Sequence, residues 1–143
     1  MSLEENKAIV RSFLETLNTQ DLSALDDFVA LDYYDHTNQF RGLDSIKHAI
    51  TSFYEGFPDF RINITDMIAE GDTVWVYEIE TGTHTGVYRG IAPTGKKITF
   101  SCVDIFHIVD GKVAEGWHVY DFLDFYRQLG VIEYKGFPTE DGP

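Results

Sequence analysis

Apolar residues recur at helical spacing in the first third of the chain and alternate with polar ones in most of the remainder. Ile9, Phe13 and Leu17 recur at every fourth position, with Val10 and Leu14 beside them, which predicts a helix over residues 3–18. Glu4 and Glu5 fall in its first turn, where backbone dipoles favour negative charge. Asn18-Thr19-Gln20-Asp21 interrupts the pattern, and Asp21 is a suitable N-cap for a short second helix carrying Leu22, Leu25 and Phe28. Asp32 to Asn38 follows neither period and reads as a loop rich in hydrogen-bonding groups, the kind of segment that carries function on a rigid scaffold. Leu43, Ile46, Ile50, Phe53 and Phe57 are spaced 3, 4, 3, 4 and predict a third amphipathic helix, stopped by Gly56 and Pro58.

From Phe60 the period becomes two. Phe60, Ile62 and Ile64 alternate with Arg61, Asn63 and Thr65. A strand over Thr73–Thr85 places Trp75, Tyr77 and Ile79 on one face and Val74, Val76, Glu78 and Glu80 on the other, with a bend at Gly82–Gly86. Further strands run over Ile98–Val109 and Lys112–Asp121, joined at Asp110-Gly111, and Phe122–Leu129 forms a last turn or helix. The order is three N-terminal helices, then about four antiparallel strands. It predicts an α+β fold with the helices packed on the concave face of a curved sheet. A chain of 143 residues fits one domain, with residues 134–143 as a loosely held acidic tail.

Composition narrows the partners. The net charge of -13 disfavours nucleic acid and anionic membrane surfaces and is compatible with a small neutral ligand. Eight Tyr and eleven Phe suit a ring-lined cavity, or equally an aromatic core. The single cysteine, Cys102, sits in an apolar run and reads as an inert buried thiol. The start MSLEENKAIV lacks a basic, apolar leader, so a soluble cytoplasmic protein is expected. The five histidines form no zinc-type spacing, and neither a phosphate-binding glycine loop nor a nucleophile elbow is present.

The candidate chemistry depends on how the Asp110-Gly111 hairpin pairs. A two-residue turn sets Trp117 beside Asp104 and Asp121 beside Phe100, with His107 on the opposite face. A three-residue loop including Val109 sets His107 beside Val113 and Val103 beside Trp117, and gathers His107, Trp117 and Asp121 on one face. Asp-Gly is compatible with both. The second pairing is preferred because it assembles the polar and aromatic groups of a pocket. In it Phe100, Phe106 and Ile108 lie on the outer face, as a dimer contact. His118 faces away from Asp121 by strand alternation and falls outside this site.

The motifs Gly82-Thr83-His84-Thr85-Gly86, Pro93-Thr94-Gly95-Lys96, Asp110-Gly111-Lys112-Val113, Glu115, Trp117, Asp121 and Gln128-Leu129-Gly130 resemble the SnoaL-like polyketide cyclases of the nuclear transport factor 2-like superfamily. The resemblance spans about Phe13 to Gly130. It implies a cone-shaped α+β barrel with a deep apolar cavity, assembled as a homodimer or homotetramer. It also implies ring closure by intramolecular aldol condensation with no metal or organic cofactor. The aspartate acid/base of that family matches Asp121, and its histidine matches His107.

A carboxyl desolvated among rings can have a pKa high enough for proton transfer at neutral pH, and histidine already titrates there. Asp121 and His107 are therefore the expected catalytic pair. Trp117, His36, Tyr34 and Phe13 are expected to line the substrate site, the substrate being a small hydrophobic carbonyl compound. The bland reading of Asp121 is a helix cap for Phe122–Leu129. The expected function is a cyclase or isomerase, and the alternative is a non-catalytic ligand-binding or dimerisation module with the same cavity. An epoxide hydrolase is a lesser alternative, since the strands from Thr73 to Asp121 carry arginine only at Arg89.

Overall fold

A computed structural model describes residues 1–133 and 135–136. Helix α1 (Leu3–Asn18) is capped by Ser2, whose hydroxyl accepts from the Glu5 amide. The short second helix is a 3-10 turn, Leu22–Asp27, capped as expected by Asp21. Then follow β1 (Val29–Asp35), β2 (Phe40–Arg41), α2 (Leu43–Gly56), β3 (Arg61–Glu70), β4 (Thr73–Thr83), β5 (Lys97–Val109), β6 (Lys112–Tyr120) and α3 (Phe122–Leu129). Most of the tail expected to be loose lies outside the described residues.

The strands form one six-stranded sheet in the order β2-β1-β6-β5-β4-β3, with every pair antiparallel except β1 and β6. The sheet is curved and does not close into a barrel: β2 and β3 are its edges. Strand β1 replaces the expected loop. It was masked by Asp32, Tyr34 and Asp35, and its partner is a parallel strand far along the chain. The α+β class and the helix-covered inner face hold. Val10, Phe13, Leu14 and Leu17 of α1 and Ile50 and Phe53 of α2 are buried against the inward residues of β3 to β6. Phe53 stacks on Phe60 and Tyr88 at centroid distances of 4.8 and 5.3 Å, and Phe125 of α3 closes that end against Phe100 at 5.0 Å.

The β5–β6 hairpin follows neither expected pairing along its whole length. Asp110 and Gly111 both have positive φ, 50° and 77°, as a two-residue turn of this hand requires, and Val109 pairs with Lys112. After Ile108–Val113 the register slips by one at Ala114, so His107 meets Glu115, Ile105 meets Trp117 and Asp104 meets His118. This bulge decides what the sheet presents on each side. Cys102, Asp104, Phe106 and Ile108 are buried inward, while Glu115, Trp117 and Val119 point outward with Val103, Ile105 and His107. Phe100, Phe106 and Ile108 are thus core residues, 1–4% exposed, and not the outer contact expected for them. The core beneath them is filled from the helix side, so their burial needs no partner chain.

Candidate active site

The inner face of β4, β5 and β6 carries a block of polar residues where alternation would otherwise supply core. Glu78 pairs with Cys102, and Cys102 with Tyr120; one step along, Asp104 pairs with His118. Glu80 lies two residues beyond Glu78 on the same face. Above this block is a cavity of about 90 Å³, walled on the helix side by Phe13, Leu17, Ile50 and Phe53. Asp104, Glu80, His118 and Tyr120 line its sheet side, and Tyr33, Asp35 and Asn38 line it from β1 and the turn after it.

His118 is the centre of the arrangement. Its Nδ1 lies 2.6 Å from Asp104 Oδ1, so this nitrogen carries the proton and donates it to the carboxylate. Its Nε2 is 3.2 Å from the Tyr33 hydroxyl and 3.6 Å from Asp35 Oδ2. Asp35 is held in place by three donors, the Thr37 and Asn38 amides at 2.9 Å and the Asn38 side chain at 2.8 Å. Gly116 makes room for Tyr33, since a Cβ there would lie 2.1 Å from the tyrosine oxygen.

The charges are strongly coupled. Burial alone would lower the His118 pKa, but the Asp104 and Asp35 carboxylates set negative charge against the ring and raise it above its ordinary value. Burial would raise Asp104, but the His118 imidazolium and the hydrogen bonds from His118 and Cys102 hold it below the usual carboxylate range. Glu78 and Glu80 behave oppositely. Both are buried, at 0% and 4% exposure, and desolvation together with the Asp104 charge pushes Glu78 well up and Glu80 up to about 8. Burial and the same negative charges push the Cys102 thiol up.

Among the described residues, Glu78, Glu80 and Cys102 bring possible metal-ligand atoms within 4.8 Å of one another. Binding an ion there needs all three groups deprotonated. Their surroundings favour the protonated forms of all three, so this donor set is better matched to holding protons than to holding a cation.

Of the residues expected in the site, Phe13 lines the cavity. Four others come together, but on the outer face. His36 stacks on Trp117 at 4.2 Å with an interplanar angle of 3°, and Tyr34 meets His36 edge-on at 4.7 Å. Glu115 bridges His36 Nε2 at 3.2 Å and His107 Nδ1 at 3.0 Å. His107 and Trp117 do share a face, as the preferred pairing required, but the Ala114 bulge turns it away from the hollow. Asp121 lies past the end of β6. Its exposed carboxylate accepts from the Asp124 amide and caps α3, which is where the bland reading put it. This corrects the placement of Asp121 and His107 as cavity residues. His118, set aside because it opposes Asp121, occupies the cavity for that very reason. Two signals for the inner face were present: Glu78 and Glu80 share a strand face with Val74 and Val76, and Asp104 shares one with Phe106 and Ile108.

The curved, helix-covered sheet thus holds a histidine–carboxylate pair in its hollow. A family model described as SnoaL-like polyketide cyclase matches residues 7–129, and the chain belongs to that family. It is 27% identical over 141 residues to the aklanonic acid methyl ester cyclase DnrD of Streptomyces peucetius, covering 94% of each chain. Among solved structures, TsrD of Streptomyces laurentii superposes with a TM-score of 0.85 at 26% identity, covering 92% of this chain and 99% of that one. AclR of Streptomyces galilaeus, described as a candidate hydroxylase, superposes at 0.83 with 26% identity, covering 93% and 85%. One scaffold therefore carries names for more than one chemistry. No helix among the described residues is long and apolar enough to cross a membrane.

Proposed function

We propose that this protein is a cofactor-free cyclase that closes a ring in a small, largely apolar polyketide ester, with His118 as the base. The observation that carries this reading is the His118–Asp104 pair, with Nδ1 tied to the carboxylate and Nε2 facing Tyr33 and Asp35, which line the hollow with it. The neutral ring takes a proton from a carbon beside a carbonyl, and Asp104 stabilises the imidazolium that results. The resulting enolate carbon attacks a second carbonyl of the same molecule. A carbon–carbon bond forms, the carbonyl π pair moves to oxygen, and that oxygen takes up a proton. No net oxidation occurs and no co-reactant is consumed. Tyr33 and Asp35 flank Nε2 and fix the ring plane.

The named ester of the relatives is the first substrate to try. Purified protein is expected to convert aklanonic acid methyl ester to a cyclised isomer of unchanged mass, with His118→Gln slowed by roughly 10²–10⁴-fold. Turnover undiminished in that variant would remove the base. Tight binding of the ester without conversion by the native protein would favour the ligand-binding alternative.

In the same reading the chain pairs with a second copy of itself through the outer sheet face. Ile68, Trp75, Ile105 and Trp117 are register partners across β3 to β6, and Tyr77, Val103 and Val119 form the next row. Ile68 and Val119 are 62% and 64% exposed, and Trp75 and Tyr77 are exposed beside them, so these rows present apolar side chains to solvent. Sedimentation is expected to give a dimer, and Trp75→Glu a monomer. A monomeric native protein would sink this assembly.

A further inference from the structure

We infer that Glu80 is a second catalytic residue of this site, a neutral carboxylic acid that delivers the proton the new alkoxide requires. The inference rests on the cyclase reading above and adds a group which that reading leaves unnamed. An enolate attack produces negative charge on oxygen inside an apolar hollow, where water is a poor proton source. Glu80 lines the same hollow as His118, from the neighbouring side of the sheet. Its Oε2 is buried without a hydrogen-bond partner, and so are both oxygens of Glu78 behind it. Ionised carboxylates left in that state would carry a large desolvation cost, whereas a neutral carboxyl has a proton to offer.

Burial and the Asp104 charge favour that neutral state; the Glu78 side chain and the imidazolium form of His118 pull the other way, and less strongly. Glu78 adjoins it on β4. Asp104 and Cys102 face it from β5, Tyr120 and His118 from β6, and Tyr88 from the segment after β4. The Asp104 carboxylate repels a second negative charge here, and this outweighs the pull of the His118 imidazolium. Helices α1 and α2 contribute only uncharged side chains to the cavity wall. The cycle balances. His118 gains the proton taken from carbon, Glu80 loses one to the alkoxide, and a proton returns from the imidazolium to the Glu80 carboxylate, with Asp104 lying between the two strands that hold them.

The test pairs a direct titration with two isosteric variants. In protein labelled with ¹³C at glutamate carboxyls, the signal missing from Glu80→Gln is expected to titrate near pH 8. Glu80 ionised throughout the neutral range would overturn the inference whatever the substrate. With aklanonic acid methyl ester, Glu80→Gln is expected to fall by roughly 10²-fold and to lose the alkaline limb of the native pH profile, with its circular dichroism unchanged. Full activity in Glu80→Gln alongside a dead His118→Gln would overturn the acid and leave the base standing. A dead Glu80→Gln alongside an active His118→Gln would do the reverse. Stoichiometric zinc retained by the native protein and lost in Cys102→Ser would also overturn it, because the carboxyls would then be ionised ligands.

Discussion

The two faces of the β5–β6 hairpin hold the same chemical pairing and differ in everything that surrounds it. Outside, His107 and Glu115 meet at 3.0 Å with each side chain 38% exposed; inside, His118 and Asp104 meet at 2.6 Å with side chains 11% and 7% exposed. Water screens the outer pair, so such a contact contributes little. The inner pair sits in a low-dielectric wall where each charge depends on the other, and removing one partner leaves the second stranded. Hydrogen bonds from His107 and His36 lower the Glu115 pKa, but Glu115 faces solvent and no cavity. A histidine beside a carboxylate is thus a poor guide to a site until its burial is known.

The comparison can be broken most directly by activity. Asp104→Asn is expected to lower turnover by roughly 10²-fold or more, since it removes the charge that stabilises the His118 imidazolium. His107→Gln and Asp121→Asn are expected to stay within about twofold of the native protein, because neither side chain reaches the hollow. A large loss in either would return the chemistry to the outer face.

The next largest effect is on stability. Glu80 has an ordinary pKa of 4.5 and a folded value raised to about 8. Its folded form therefore keeps a proton that the unfolded chain releases. The stabilisation is complete below 4.5 and is lost progressively as pH rises towards 8. Glu80→Gln removes this dependence. Its stability relative to the native protein is expected to rise by up to roughly 3–5 kcal/mol between pH 4.5 and 8 in urea denaturation. A difference independent of pH would mean that Glu80 ionises normally in the fold.

A smaller effect sharpens the inner face. Gly116→Ala places a methyl group against the Tyr33 hydroxyl, which must move away from His118. The expected loss is about 1–3 kcal/mol in stability, with turnover lowered further than in Tyr33→Phe. Smallest of all, Glu115→Gln on the outer face is expected to change stability by no more than about 0.5 kcal/mol, with activity unaltered.

The helices and the long antiparallel strands were legible because each rests on a local period. Leu43 to Phe57 spells out its stripe, and the alternation in β4 and β5 survives intact in the structure. Strand β1 was not legible, because Tyr33 is its inward side chain amid polar neighbours and its pairing partner lies about eighty residues away. The site failed for a different reason. The alternation argument correctly opposed His118 to Asp121, but assigning the inner face needed the register of one hairpin. That register contains a bulge at Ala114, a residue with no glycine or proline to announce it. The family resemblance drew attention to Asp121 at the strand end, while the unpaired carboxyls of Glu78 and Glu80 stood in plain alternation with valines.

That single extra residue has a further consequence. It uncouples the connecting bend from the chemistry, so substitutions at Asp110 or Lys112 can alter how the hairpin closes without disturbing the hollow. Losing the bulge by pairing Ala114 with His107 is another matter. That uninterrupted ladder would set Trp117 opposite Asp104 and roll the imidazole out into solvent. The molecule would keep its strands and helices and be turned inside out at its hollow.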